Sequence, residues 1–341
     1  MSRFPHGRLA AGAASRRGLL VLAAVLAGCG AGPGYERYGG TTMGTYYQVT
    51  ARCPGDVGTI IQEELRAVNA EMSTYQPRST LSLFNSAPVG AWFPVSPQLA
   101  EVVAAAGVLN RESGGAFDVT VGPLVNLWGF GPPEASGVPD RQSIEATLER
   151  IGHRQLDLSF DPPRLRKRAD LYVDLSAIAK GHGVDRVVLR LEEAGCDAML
   201  VDVGGEVRGT GRSPSRRPWR IGVEVPDPGG EGGIQRVISL ADGALATSGD
   251  YRNFLEADGR RYSHTIDPRT GYPVEHGLAS VTVLHASAMW ADGYATLLNV
   301  LGPVDGMEFA RVKGLAALFI IRTDAGFEER YTRELQSALV P

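Results

Sequence analysis

The feature that most constrains the fold is an irregular interleaving of two hydrophobic periods along the 341-residue chain. Helical spacing occurs in five places. Ile61, Leu65, Val68 and Met72 share one face behind Thr59 and Gln62, which read as a capping box. Ser96-Pro97 opens a second helix with Leu99, Val102, Val103 and Ala106 inward. Asp140 precedes a third, with Ile144, Leu148 and Ile151, and a fourth carries Val184, Val187, Val188 and Leu191 before stopping at Gly195. The fifth runs over about residues 286–301 and ends at Gly302-Pro303. Elsewhere the pattern alternates. Met43, Thr45, Tyr47 and Val49 share one side of a strand, as do Ile221, Val223 and Val225, and Val281 with Val283; residues 315–322 read as a buried strand. No regular strand–helix–strand rhythm emerges, which predicts an α+β fold rather than a doubly wound sheet. No repeat, low-complexity segment or Pro/Ser-rich linker divides residues 41–341, so one domain with two lobes is expected there.

The N-terminus reads as an address. Basic residues through Arg16-Arg17 precede a short apolar run from Leu19 to Ala27, too short for a membrane span of ~20 residues. It ends in Leu26-Ala27-Gly28-Cys29, which resembles a bacterial lipobox. Residues 1–28 are then a removed signal and Cys29 is the lipidated first residue, lipid-anchored to a bacterial membrane and facing the periplasm. Ser15-Arg16-Arg17-Gly18-Leu19-Leu20 also resembles a twin-arginine export signal. Residues 29–40 read as a tether. Cys53 and Cys196 either pair in an oxidising compartment or are two independent buried thiols.

At 43% hydrophobic and 21% charged, the chain is neither disordered, collagenous nor a small disulfide scaffold. The four arginines before residue 29 leave a body more acidic than the overall net charge of -4, which argues against a nucleic-acid partner. Several enzyme signatures fail. The glycine run Gly204-Gly205-Glu206-Val207-Arg208-Gly209-Thr210-Gly211 lacks the lysine of a phosphate loop and the spacing of a dinucleotide fingerprint. No His-Glu-x-x-His or paired Cys-x-x-Cys marks a zinc site, and no Gly-x-Ser-x-Gly elbow occurs.

Three motifs carry chemistry. In residues 173–183 an apolar strand end runs into a helix, with Asp174 at the junction and Lys180 in the first turns; Asp174 either caps the helix or binds a ligand, with Lys180 aimed at phosphate. In residues 290–296, Asp292 and Thr296 stand four apart on one helix face. A carboxylate and a hydroxyl are hard oxygen donors suited to Mg²⁺; the plain alternative is a solvated acid and a back-bonded threonine. In residues 262–271 a strand breaks at Asp267-Pro268, and His264 stands just before the break as either a structural histidine or a base.

In this order the three motifs resemble the ApbE-type FAD:protein FMN transferases, also called thiamine-biosynthesis lipoproteins. Met43-Gly44-Thr45, the block from Met72 to Asn85, residues 117–131, Asp202-Val203-Gly204-Gly205 and residues 246–251 extend the likeness from about Thr41 to the end. The resemblance implies a cleft between two lobes that takes FAD as substrate. By matching positions, Met43, Tyr75, Ala116, Phe117, Asp118, Asp174, Lys180 and Ile266 contact the FAD. Mg²⁺ sits on Asp292, Thr296 and the carbonyl of Ala177; Ala295 stands where some members carry a second acid. The implied reaction transfers FMN to a threonine or serine of an acceptor protein, such as a subunit of an ion-pumping redox complex, and releases AMP. His264 is the candidate catalytic base, and Asp292 the catalytic metal ligand. Two alternatives remain: an FAD pyrophosphatase, and a non-catalytic FAD-binding lipoprotein.

Overall fold

The computed structural model describes residues 34–131, 137–226, 233–249, 254–257 and 260–340; the lipidation position Cys29 and the signal lie outside them. The frame is an antiparallel sheet of eight strands: β1 (Glu36–Thr42), β2 (Thr45–Arg52), β3 (Ala198–Val203), β4 (Glu206–Thr210), β5 (Gly243–Gly249), β6 (Leu278–His285), β7 (Ala316–Thr323) and β8 (Gly326–Tyr331). Their order in space is their order in the chain. Every long excursion therefore leaves from and returns to neighbouring strands, and the site is built from those excursions.

Both faces of the sheet are covered, so its central strands are apolar on both sides. On one side lie the helices α1 (Gly58–Met72), α2 (Pro97–Glu112), α3 (Ala179–Glu193) and α4 (Ala288–Lys313). Met199, Val201 and Val203 of β3 face α1 and α3, and Ala317, Phe319 and Ile321 of β7 join the core around α4. Alternate residues Leu200, Leu318 and Ile320 turn to the other side, where the hairpin of strands Trp219–Glu224 and Ile234–Leu240 and the final turn around Leu335 cover them. The α+β expectation holds.

Local signals account for several boundaries. Ser96 Oγ accepts from Leu99 N, and Asp140 Oδ1 from Ser143 N, each satisfying an orphan N–H at a helix start. Other expectations need correction. The Thr59–Gln62 capping box does not form: α1 starts at Gly58 with no side-chain cap on its N-cap residue Val57, and Asp56 Oδ1 instead takes the Gly58 N–H. The stop expected at Gly302-Pro303 is present, but the fifth helix continues beyond it to Lys313. It kinks at Gly302 and restarts, because Gly302 adopts φ 78° and Pro303 suits the first turn of a new helix. A side chain at Gly302 would also strike the His276 ring, 2.4 Å from the added carbon. Residues 36–40, read as tether, form most of β1, paired with β2. Cys53 and Cys196 form a disulfide across 143 residues, joining the end of β2 to the turn after α3.

Candidate functional site

A cavity of about 700 Å³ opens between the excursion that runs from β2 to β3 and the sheet end carrying α4. Its floor is charged. The N–H of Gly181, in the first turn of α3, donates to Asp292 Oδ2 at 3.0 Å. Lys180 Nζ lies 2.6 Å from Glu206 Oε1 and 3.7 Å from Asp292 Oδ1. Both acids are almost sealed from solvent. Burial raises the Asp292 carboxyl above its ordinary range and pushes Glu206 up to about 8, although Lys180 opposes both shifts. Burial works against the Lys180 ammonium, but the two carboxylates together outweigh it and hold its pKa above the usual lysine value.

This floor fits a divalent cation. Two buried carboxylates face one ammonium, so the ionised site carries one uncompensated negative charge, and Glu206 Oε2 is buried without a partner. Thr296 stands one turn beyond Asp292, and Ala177 lines the same cavity. Among the described residues no cluster of three His, Cys, Asp or Glu side chains could hold a metal. A carboxylate–hydroxyl–carbonyl set is a different arrangement, of hard oxygens that suit Mg²⁺.

The other sequence candidates mostly converge here. Tyr75, Ala116, Phe117, Asp118, Asp174, Ala177, Lys180, His264, Ile266, Asp292 and Thr296 all line the cavity. Tyr75 is 68% exposed and forms its rim, whereas Ala116 and Phe117 are buried in its wall. Asp174 does not cap α3. Its Oδ1 accepts from the N–H and the hydroxyl of Ser176 and shapes the turn before the helix. Asp118 is tied inward: Thr120 occupies Oδ1, while Asn110 Nδ2 and the His153 N–H occupy Oδ2. His264 stands edge-on to the Phe130 ring, with centroids 6.3 Å apart. The loop after it is pinned by an isolated bridge between Ile266 and Pro273 and by Trp128 Nε1 donating to the Gly271 carbonyl at 2.9 Å.

Met43 is not among the residues that line the cavity; it occupies the β1–β2 turn with φ 47°, and its side chain lies against Gly183, one turn beyond Lys180 on α3. Glu206, Thr247, Ser248 and Phe130 line the cavity without having been singled out from sequence. For Glu206 a signal existed, an acid directly after Gly204-Gly205. Those glycines, at φ 64° and 104°, make a two-residue turn joining β3 to β4, with Val203 paired to Glu206. The glycine run is thus a hairpin whose far side delivers a carboxylate to the site.

Fold and floor together define an α+β domain of the enzyme kind, with a cleft whose charged floor suits a polar ligand. The ApbE family model matches residues 43–319. The chain is 43% identical over 300 residues to the FAD:protein FMN transferase of Haemophilus influenzae, covering 84% of this chain and 87% of that protein. It is 43% identical over 328 residues to the FAD:protein FMN transferase of Vibrio cholerae, covering 92% and 96%. The solved structure of the flavin transferase ApbE from Vibrio cholerae superposes with a TM-score of 0.82 over 89% of this chain and 99% of that one, at 43% identity. The apo form of the Pseudomonas stutzeri flavinyl transferase ApbE gives 0.82 at 39% identity. This chain belongs to the ApbE family.

Proposed function

We infer that this protein is an FAD:protein FMN transferase that passes FMN to a threonine or serine hydroxyl of an acceptor protein. The observation that carries the reading is the convergence of His264, Lys180 and the Asp292–Thr296 pair on one cavity in a chain of this family. The acceptor oxygen forms a new P–O bond to the FMN phosphorus as the bridging P–O bond of FAD breaks and AMP leaves with its electron pair. His264 takes the hydroxyl proton; an imidazole is neutral near pH 7 without a large shift. Asp292, Thr296 and the Ala177 carbonyl would hold Mg²⁺, which supplies charge neutralisation at the pyrophosphate. Lys180 brings a second positive charge to the same floor, and the walls at Ala116, Phe117 and Ile266 exclude water. Such transfer rests on positioning and electrostatics more than on covalent help from the protein.

Incubation with FAD and Mg²⁺, with and without an acceptor domain, tests this. A fluorescent acceptor band together with AMP is expected. AMP alone would make the protein a pyrophosphatase, and neither product a binding protein. We place the enzyme outside the cytoplasm, anchored through Cys29; the Cys53–Cys196 bridge supports an oxidising compartment. Cys29→Ala should release it from membranes, and a variant that still pellets after a salt wash refutes the anchor.

A further inference from the structure

One buried polar group on α4 has no part in the chemistry above. Asn299 follows Asp292 by seven residues and Thr296 by three, so all three lie on one stripe of the helix. It is fully buried. Its Nδ2 donates to Ser248 Oγ at 3.2 Å and to Thr265 Oγ1 at 3.0 Å. Its backbone carbonyl accepts from His276 Nε2 at 2.8 Å. One carboxamide thus joins the end of β5, the residue that follows His264 and the helix of Asp292.

The polarity of this junction matters. Ser248 and Thr265 line the cavity, and Asn299 sits behind them. A hydroxyl has one hydrogen and two lone pairs, so an oxygen that accepts from Asn299 must send its hydrogen elsewhere. Among the described residues neither hydroxyl donates to an acceptor of its own. Asn299 Oδ1 is buried without a partner, so the amide serves the pair as a donor only. Among the described residues, the direction left for both hydrogens is the cavity that Ser248 and Thr265 line.

We propose that Asn299 is a positioning residue for FAD binding, holding Ser248 and Thr265 with both hydroxyl hydrogens turned into the cavity to donate to acceptor atoms of bound FAD. The inference rests on the cavity being the FAD site, so wild-type affinity is measured first, by fluorescence quenching on titration with FAD. A wild-type chain that fails to bind FAD removes the functional reading itself.

With wild-type binding established, Ser248→Ala and Thr265→Val each delete one neutral donor. Each should weaken FAD binding about three- to tenfold while the unfolding midpoint of the free protein stays within a few degrees. Asn299→Asp keeps the volume and reverses the polarity. Its carboxylate draws both hydroxyl hydrogens to itself, so affinity at pH 8 should fall about tenfold or more. Affinity should recover as the pH drops and the buried carboxyl protonates and can donate. A merely structural asparagine would lower the unfolding midpoint and give no such pH step. Adding Ser248→Ala to Asn299→Asp should cost little more, because that hydroxyl has already turned away. If Ser248→Ala and Thr265→Val both bind FAD within twofold of wild type, the proposal is overturned, and these two variants decide the matter even if Asn299→Asp does not fold.

Discussion

Replacing Gly181 by alanine should separate α3 from α4 and damage both stability and transfer. A carbon added at Gly181 would lie 2.1 Å from the Ala288 carbonyl oxygen, 2.5 Å from its carbon and 2.8 Å from Met289 Cα. All three are backbone atoms, with no flexible end to move aside. Ordinary contact begins near 3.4 Å, so the two helices must part by roughly 1 Å. That motion also stretches the bonds that seat α4: Gly181 N to Asp292 Oδ2, and the N–H groups of Ala288 and Met289 to Asp185, each at 3.0 Å. Overpacking of this kind costs ~1–3 kcal/mol, and a rigid backbone clash belongs at the upper end. The better helix propensity of alanine returns at most ~1 kcal/mol, leaving a net loss of about 2 kcal/mol. Asp292 rides on the displaced helix, and a misplacement of about 1 Å costs on the order of 10²-fold in rate. Gly183→Ala is the control two residues away. Its added carbon comes closer than ordinary contact to one atom, the Met43 Cε at 2.9 Å, the far end of a flexible side chain, while Met43 Sδ at 3.7 Å and Leu65 Cδ2 at 3.9 Å are ordinary neighbours. Urea unfolding and a flavin-transfer assay on both variants settle the point. If Gly181→Ala unfolds within about 0.5 kcal/mol of Gly183→Ala and transfers flavin at the same rate, the close-approach argument is wrong.

Three further outcomes follow from the site and its surroundings. Asp292→Ala should abolish Mg²⁺-dependent transfer by orders of magnitude while the fold survives, since it removes a buried carboxylate that Lys180 only partly offsets; near-normal turnover in limiting Mg²⁺ would refute the metal assignment. His264→Ala should lower transfer about 10²–10⁴-fold with little change in FAD affinity and should remove one ionisation from the pH–rate profile; a parallel loss of affinity and rate with an unchanged profile would exclude it as the base. Burial holds the His182 imidazole down at about 4 despite the nearby Asp185 carboxylate. The unfolded chain binds that proton near 6.5, so stability is intact above that pH and falls as the pH drops toward 4, by about 3 kcal/mol over the whole window. Comparing urea midpoints of wild type and His182→Leu from pH 7.5 to 4.5 should show the slope flattened in the variant; equal slopes would refute it.

What the sequence by itself determined lies within a few residues of each signal. Ser96 and Asp140 start helices because each side-chain oxygen meets an N–H three residues on, and Gly195 stops one by taking φ 83°. Asp292 and Thr296 share a face because four residues make about one helical turn. Motif likeness then named most of the cavity, since those residues sit in short contiguous blocks. Met43 stands apart from those blocks, in the β1–β2 turn with its side chain against Gly183 of α3. Gly302-Pro303 shows the limit of a local rule: the stop was real, but whether a helix resumes depends on Met307 and Ala310 finding the core. Only the tertiary structure decided which distant segments meet. It brought Glu206 to Lys180 across a hairpin, closed Cys53 onto Cys196 across 143 residues, and gathered Ser248, Thr265 and Asn299 from two strand ends and a helix. It also turned Asp118 inward and left Glu206 half unpaired. Those outcomes depend on which groups lose water together and which partners remain within reach, and neither residue type nor local spacing encodes that.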